Sequence, residues 1–148
     1  MGRDQTVYVA DRENSRIQVF THAGEFLTDW KDVARATQIF IDAHDNVYVS
    51  ELGWRAGLFS GVQPPQPDPP GGRVSIFTRD GKLLTRWGGG DTPCAVGDFF
   101  APHDVWLDSR GDLYVSEVTM TAGGNRGVVP SHCHTLQKFV RRSESPAG

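Results

Sequence analysis

Val47-Tyr48-Val49-Ser50-Glu51 occurs twice more in altered form, as Val7-Tyr8-Val9-Ala10-Asp11 and as Leu113-Tyr114-Val115-Ser116-Glu117. Each copy reads apolar, aromatic, apolar, small, acidic. Alternation of this kind is a strand with two different faces. A self-similar segment repeated along one chain marks a repeat architecture.

Working outward, a second element follows each copy. Arg16-Ile17-Gln18-Val19-Phe20 matches Arg73-Val74-Ser75-Ile76-Phe77, and more loosely Thr135-Leu136-Gln137-Lys138-Phe139. Turn residues come next, His22-Ala23-Gly24 and Arg79-Asp80-Gly81. Glycine there supplies the positive φ of a tight hairpin. Then Glu25-Phe26-Leu27-Thr28-Asp29-Trp30 matches Lys82-Leu83-Leu84-Thr85-Arg86-Trp87. Ahead of the opening motif, Ile39-Phe40-Ile41-Asp42 matches Val105-Trp106-Leu107-Asp108. The unit therefore has four short strands, A to D in chain order, and such a unit is a propeller blade. The middle copy is complete. The first lacks A and the third lacks D. The expected fold is all-β: an open arc of about three four-stranded antiparallel blades over residues 1–142, with copies at about 6–30, 36–87 and 101–140. Residues 143–148 form a polar tail expected to fray.

The spacings locate the extra chain. Asp11 to Arg16 spans 5 positions but Glu51 to Arg73 spans 22; Trp30 to Ile39 spans 9 but Trp87 to Val105 spans 18. All the excess lies in B–C and D–A connections. In an up-and-down blade these emerge on one face. Insertions confined to one face mark a working face, although surface loops also lengthen at little cost.

The bulk properties fit one domain: 148 residues, 38% hydrophobic, 22% charged, net charge −3. No apolar run reaches the roughly 18–20 residues of a membrane span, and no charged-then-apolar leader follows Met1. Slight acidity without basic blocks argues against nucleic acid as a partner. The compartment stays open.

On the insertion-bearing face, Pro102-His103-Asp104 opens the A strand of the third copy. Strand A is the innermost of a blade, so His103 is expected at the channel mouth. An imidazole there suits a metal, or it caps the blade as a structural histidine. Asp104 is expected to point away from it. Cys94 and Cys133 lie in loops of the same blade on the same face, and are a candidate disulfide in an oxidising compartment. His132-Cys133-His134 lacks the usual zinc-ligand spacing. Trp54 and Arg55 precede the proline-rich stretch 62–72, and either line a substrate groove or pin the loop. Trp30 and Trp87 are expected to pack. Neither a phosphate loop nor a nucleophilic serine set is present.

The segment Asp11-Arg12-Glu13-Asn14-Ser15-Arg16-Ile17-Gln18-Val19-Phe20 resembles an NHL repeat. Over about residues 6–140 the chain resembles the C-terminal half of the peptidyl-α-hydroxyglycine α-amidating lyases (peptidylamidoglycolate lyases). The features are this stretch, a blade with a long B–C insertion, and Pro102-His103-Asp104. The resemblance implies a six-bladed propeller that cleaves a C-terminal hydroxyglycine into a peptide amide and glyoxylate. It implies a catalytic zinc on three histidines, of which His103 would be one, and a channel calcium with Asp104 as a ligand. The middle copy has Thr37-Gln38 where Pro-His would stand. The other histidines have no counterpart here, so this chain alone is not expected to be a competent lyase. Two other readings stand beside it. One is a non-catalytic NHL propeller that binds a protein or another ligand. The other is a gluconolactonase-like metal-dependent hydrolase, which needs acidic ligands at inner strand starts. The expected partners are a small-molecule or peptide substrate, a protein, the missing propeller blades, or a second copy of the chain through the open edges of the arc.

Overall fold

A computed structural model describes residues 5–54, Pro64 and 68–142. The described residues form strands and their connections, with helical turns only in the long connection after Glu117. The first antiparallel sheet joins β1 (Val7–Asp11), β2 (Arg16–Phe20) and β3 (Phe26–Trp30) in that order. The second joins β4 (Ala36–Ile41), β5 (Val47–Glu51), β6 (Arg73–Phe77) and β7 (Leu83–Gly88). The third joins β8 (Pro102–Leu107), β9 (Leu113–Glu117) and β10 (Leu136–Phe139). These are three blades of a propeller arc, the outer two each short of one strand.

The repetition extends to irregularities. β4 and β8 each carry a bulge where they enter the sheet, between Ala36 and Gln38 and between Pro102 and Asp104. β2 and β6 each slip register before the hairpin, at Val19/Phe20 and Ile76/Phe77. The A–B turns match as well. Asp42 Oδ1 accepts from the backbone N–H of His44 and Asn46, and Asp108 Oδ1 from those of Arg110 and Asp112. A carboxylate closing its own turn in this way is why Asp sits there in both copies.

The blades stack face on face through two cores. Ile17, Val19 and Trp30 of the first blade meet Val47, Val49 and Phe77 of the second. Val74 and half-buried Trp87 of the second meet Val105, Leu113, Val115 and Phe139 of the third. Both tryptophans pack, as the sequence suggests. Gly81 in the β6–β7 turn lies flat against Trp30: a Cβ there would come within 2.6 Å of Nε1, and its φ is +87°.

The chain departs from a pure strand pattern in the β9–β10 connection. It holds a four-residue helix α1 (Thr119–Ala122) and a 3-10 turn at Gly124–Arg126. So short a helix has no room for a 3.6-residue period, and the sequence pattern does not reveal it. Among the described residues no helix is long and apolar enough to cross a membrane.

Candidate functional site at the channel mouth

The innermost strands β4 and β8 lie side by side, and β1, the B strand of the first blade, lies against β4. The register corrects one sequence assignment: Ala36-Thr37, rather than Thr37-Gln38, stands at the place of Pro102-His103, and Gln38 stands at that of Asp104. Thr37 and His103 are thus the two bulge residues. The Thr37 hydroxyl is within hydrogen-bonding reach of Ser50 O (3.1 Å), Ser50 Oγ (2.9 Å) and, across to the next blade, Pro102 O (3.1 Å). His103 is exposed. Both line an open groove of about 590 Å³ whose other wall includes Asp11, Arg12, Glu13 and Gln18.

That wall is internally paired. Asp11 accepts from Arg16 Nε at 2.8 Å and from Asn14 Nδ2 at 2.8 Å. The Arg16 bond, helped by Asn14, holds the Asp11 carboxyl below the ordinary carboxylate range. Glu13 Oε1 takes Arg12 Nε at 2.8 Å and Arg35 Nη2 at 3.0 Å. Arg35 is 2% exposed, and its guanidinium lies 5.1 Å from the centre of the Trp54 ring. Trp54 is therefore stacked on a buried cation, which pins the start of the β5–β6 loop. Its backbone N–H donates to Pro70 O at 2.8 Å, at the far end of that loop. Arg55 lies outside the described residues.

Asp104 is exposed, and its Oδ1 accepts from the N–H of Val105 at 2.7 Å. Among the described residues no group of three or more His, Cys, Asp or Glu side chains is arranged to hold a metal ion. A catalytic zinc takes three protein ligands and a calcium ion six to eight oxygens. His103 and Asp104 do not complete either set by themselves: the imidazole supplies one donor and the carboxylate no more than two.

The long loops of this face are packed together. Leu52, Phe100, Ala101, Val129 and Cys133 form a small core of their own, with Cys94 and Ala122 against it. Cys94 and Cys133 are joined by a disulfide, Cα–Cα 5.0 Å. Cys133 is therefore not available as a ligand in His132-Cys133-His134. His134 Nε2 sits 2.9 Å from Glu117 Oε1 and 2.7 Å from Gln137 Nε2.

Sequence reading missed the role of the acidic residue that ends each B strand. Glu117 is buried and its Oε2 accepts from the backbone N–H of Phe100 (2.8 Å) and Ala101 (3.0 Å), where the chain enters β8. Glu51 does the same for the N–H of Ala34, and also binds Arg73 and Ser75. Burial pushes the Glu117 carboxyl above the ordinary carboxylate range. The signal was present, because Asp11, Glu51 and Glu117 recur in register. Arg35 gave no such signal, having no counterpart in the other copies.

A second groove lies on the opposite face, between the β4–β5 and β8–β9 turns, with Phe40, Tyr48 and Arg141 in its lining. Its carboxylates, Asp42 and Asp108, are spent on their own turns, and the channel mouth is the better candidate. No curated protein matches the chain. Among protein families, the NHL repeat matches residues 1–20, the stretch that carries β1, its turn and β2.

Proposed function

We propose that the chain is a propeller segment that acts as a binding scaffold, taking a small-molecule or peptide ligand in the channel-mouth groove. The observation that carries this is His103. It is an exposed imidazole held out on a strand bulge, while Thr37 at the same point of the preceding blade is turned into hydrogen bonds. Asp11 and Glu13 opposite are neutralised by Arg16, Arg12 and Arg35. The groove is thus a nearly neutral, polar surface with one free-standing imidazole. Peptides ending in hydroxyglycine, in an amide and in a plain carboxylate are suitable probes for NMR titration. Shifts concentrated at His103, Thr37 and Gln18 support the reading. Shifts elsewhere, or none with any probe at millimolar concentration, overturn it.

A second reading carries chemistry: an amidating-lyase-like propeller with zinc at the channel mouth. Pro102-His103-Asp104, with His103 on the bulge, favours it. In this reading His103 gives one of three zinc ligands, Asp104 contributes to a calcium site, and the remaining ligands come from other blades. Bound zinc would supply a Lewis acid for the substrate hydroxyl. His103 would hold its place through the rigid β8–β9 ladder. Metal analysis of a closed ring containing these blades tests it. A ring without metal, with glyoxylate release unchanged by His103→Ala, would sink the reading.

A further inference from the structure

The two ends of the arc carry apolar faces whose counterparts elsewhere in the molecule are buried. Each blade has a leading face, turned to the next blade, and a trailing face, turned to the preceding one. The trailing positions are two alternate residues of strand B and the last residue of strand C. In the second blade these are Val47, Val49 and Phe77, all 0% exposed. In the third they are Leu113, Val115 and Phe139, packed in the same way. In the first they are Val7, Val9 and Phe20, and Val9 is 41% exposed. Phe26 extends this face, 56% exposed and stacked edge-on against Phe20 at 5.7 Å. Its counterpart, Leu83, packs in the core between the first two blades.

The leading positions show the converse. Ile17 and Val74 are both 0% exposed, but Leu136 at the same place in the third blade is 59% exposed. Tyr8 and Tyr48 pack toward the next blade, and Tyr114 is their counterpart. Trp106, at the position of Phe40, is 62% exposed. One polar exception is Lys138, in the place of Val19 and Ile76; its ammonium is drawn to Asp112 at 2.8 Å.

The unmatched leading face keeps the apolar positions of strands A, B and C that the internal junctions place against a trailing face, without the strand-D tryptophan that Trp30 and Trp87 supply there, and the unmatched trailing face is the kind it would meet. Exposed contiguous apolar faces of this sort are interaction surfaces. We infer that the leading face of β8–β10 docks on the trailing face of β1–β3 of a second copy of this chain, head to tail. Two copies placed so form two identical junctions around one axis. That closes a ring of six blades, within the four to eight that propellers use, and makes a heterologous contact that ends rather than propagates.

Sedimentation velocity of the chain over a wide concentration range tests this. The expected result is a reversible dimer. Val9→Arg and Leu136→Arg each put a charge on one face at an already exposed position, so folding is spared. Each variant alone should sediment as a monomer. Mixed one to one, they should associate more than either variant alone, through the one junction that keeps both native faces, and less tightly than wild type, because the other junction carries both arginines. A chain monomeric throughout overturns the proposal, as it would if blades from another protein cover these faces. Self-association untouched by either substitution, or broken by only one of them, also overturns it. So does a mixture that associates no more than either variant alone.

Discussion

Thr37 and His103 occupy the same bulge in consecutive blades, and the Thr37 hydroxyl lies 3.1 Å from the carbonyl of Pro102, the residue before His103. One bulge is thus a strut between blades and the other is an exposed display position. Thr37→Val keeps the volume and removes the hydroxyl from a half-buried site. It should lower the unfolding free energy by about 1 kcal/mol. His103→Ala should stay within about 0.5 kcal/mol, as surface changes do. Urea unfolding of both variants gives the comparison. Equal losses would mean that His103 also holds the blade together, and its candidacy as a site residue would lose its main support.

The ten strands were legible because the three copies align with one another, and three of the strands share an aromatic-centred motif. The Tyr48 and Tyr114 rings even reach the same turn aspartates, Asp42 and Asp108, at 3.3 Å. The site was legible only as one residue. Pro102-His103-Asp104 is visible because it opens a strand already placed by alignment. The bulge that sets its direction is a backbone feature, and no residue type announces it. Arg35 was invisible for a different reason. A buried arginine is readable only once Glu13 and Trp54, from two other loops, are known to meet it.

Gly81 is a test of packing between the first two blades. It has φ of +87°, and a methyl group there would press on the Trp30 indole. Gly81→Ala adds left-handed strain to a steric clash against a core residue. The expected loss is about 2 kcal/mol, read by thermal or urea unfolding. Gly24 has the same φ in the equivalent turn but nothing within 4 Å of its Cβ position. Gly24→Ala should therefore cost about 1 kcal/mol, the strain alone. If the two losses are equal, the contact with Trp30 contributes nothing.

The Cys94–Cys133 disulfide closes a loop with a sequence separation of 39 residues. On the chain-entropy view such a closure stabilises by about 4 kcal/mol. The double variant Cys94→Ser/Cys133→Ser should therefore unfold at clearly lower denaturant. Reductant should lower the wild-type midpoint and leave that of the double variant unchanged. The loss should appear first in the loop core, with earlier hydrogen exchange around Phe100 and Ala101. Loss of exchange protection spread evenly over all three blades would show that the loops do not unfold as a local unit.

Glu117 gives the molecule a pH dependence of unusual sign. Burial raises its carboxyl, so the native state binds that proton more tightly than the unfolded chain does. The resulting contribution is fully present below the unfolded value, about 4.3, and is lost as pH rises through the folded one. Asp112 behaves oppositely: the bond from Lys138 holds its carboxyl low. Its contribution is present above about 3.9 and is lost as pH falls. Glu117→Gln keeps an acceptor for the N–H groups of Phe100 and Ala101 but removes the titration. The stability of wild type relative to this variant should therefore fall as pH rises above about 4.3, and then level off. For Asp112→Asn the difference should change only on the acid side. The His134 side chain, 2.9 Å from Glu117 Oε1, acts on that carboxyl against burial. His134→Gln should therefore move the Glu117 fall to higher pH. Glu117→Ala, which leaves two buried N–H groups without their acceptor, should cost about 2–4 kcal/mol at any pH. Denaturant unfolding of this variant set from pH 3 to 8 separates the contributions. A Glu117→Gln profile parallel to wild type throughout would show that the buried carboxyl keeps the same charge in both states, and the sign argued here would be wrong.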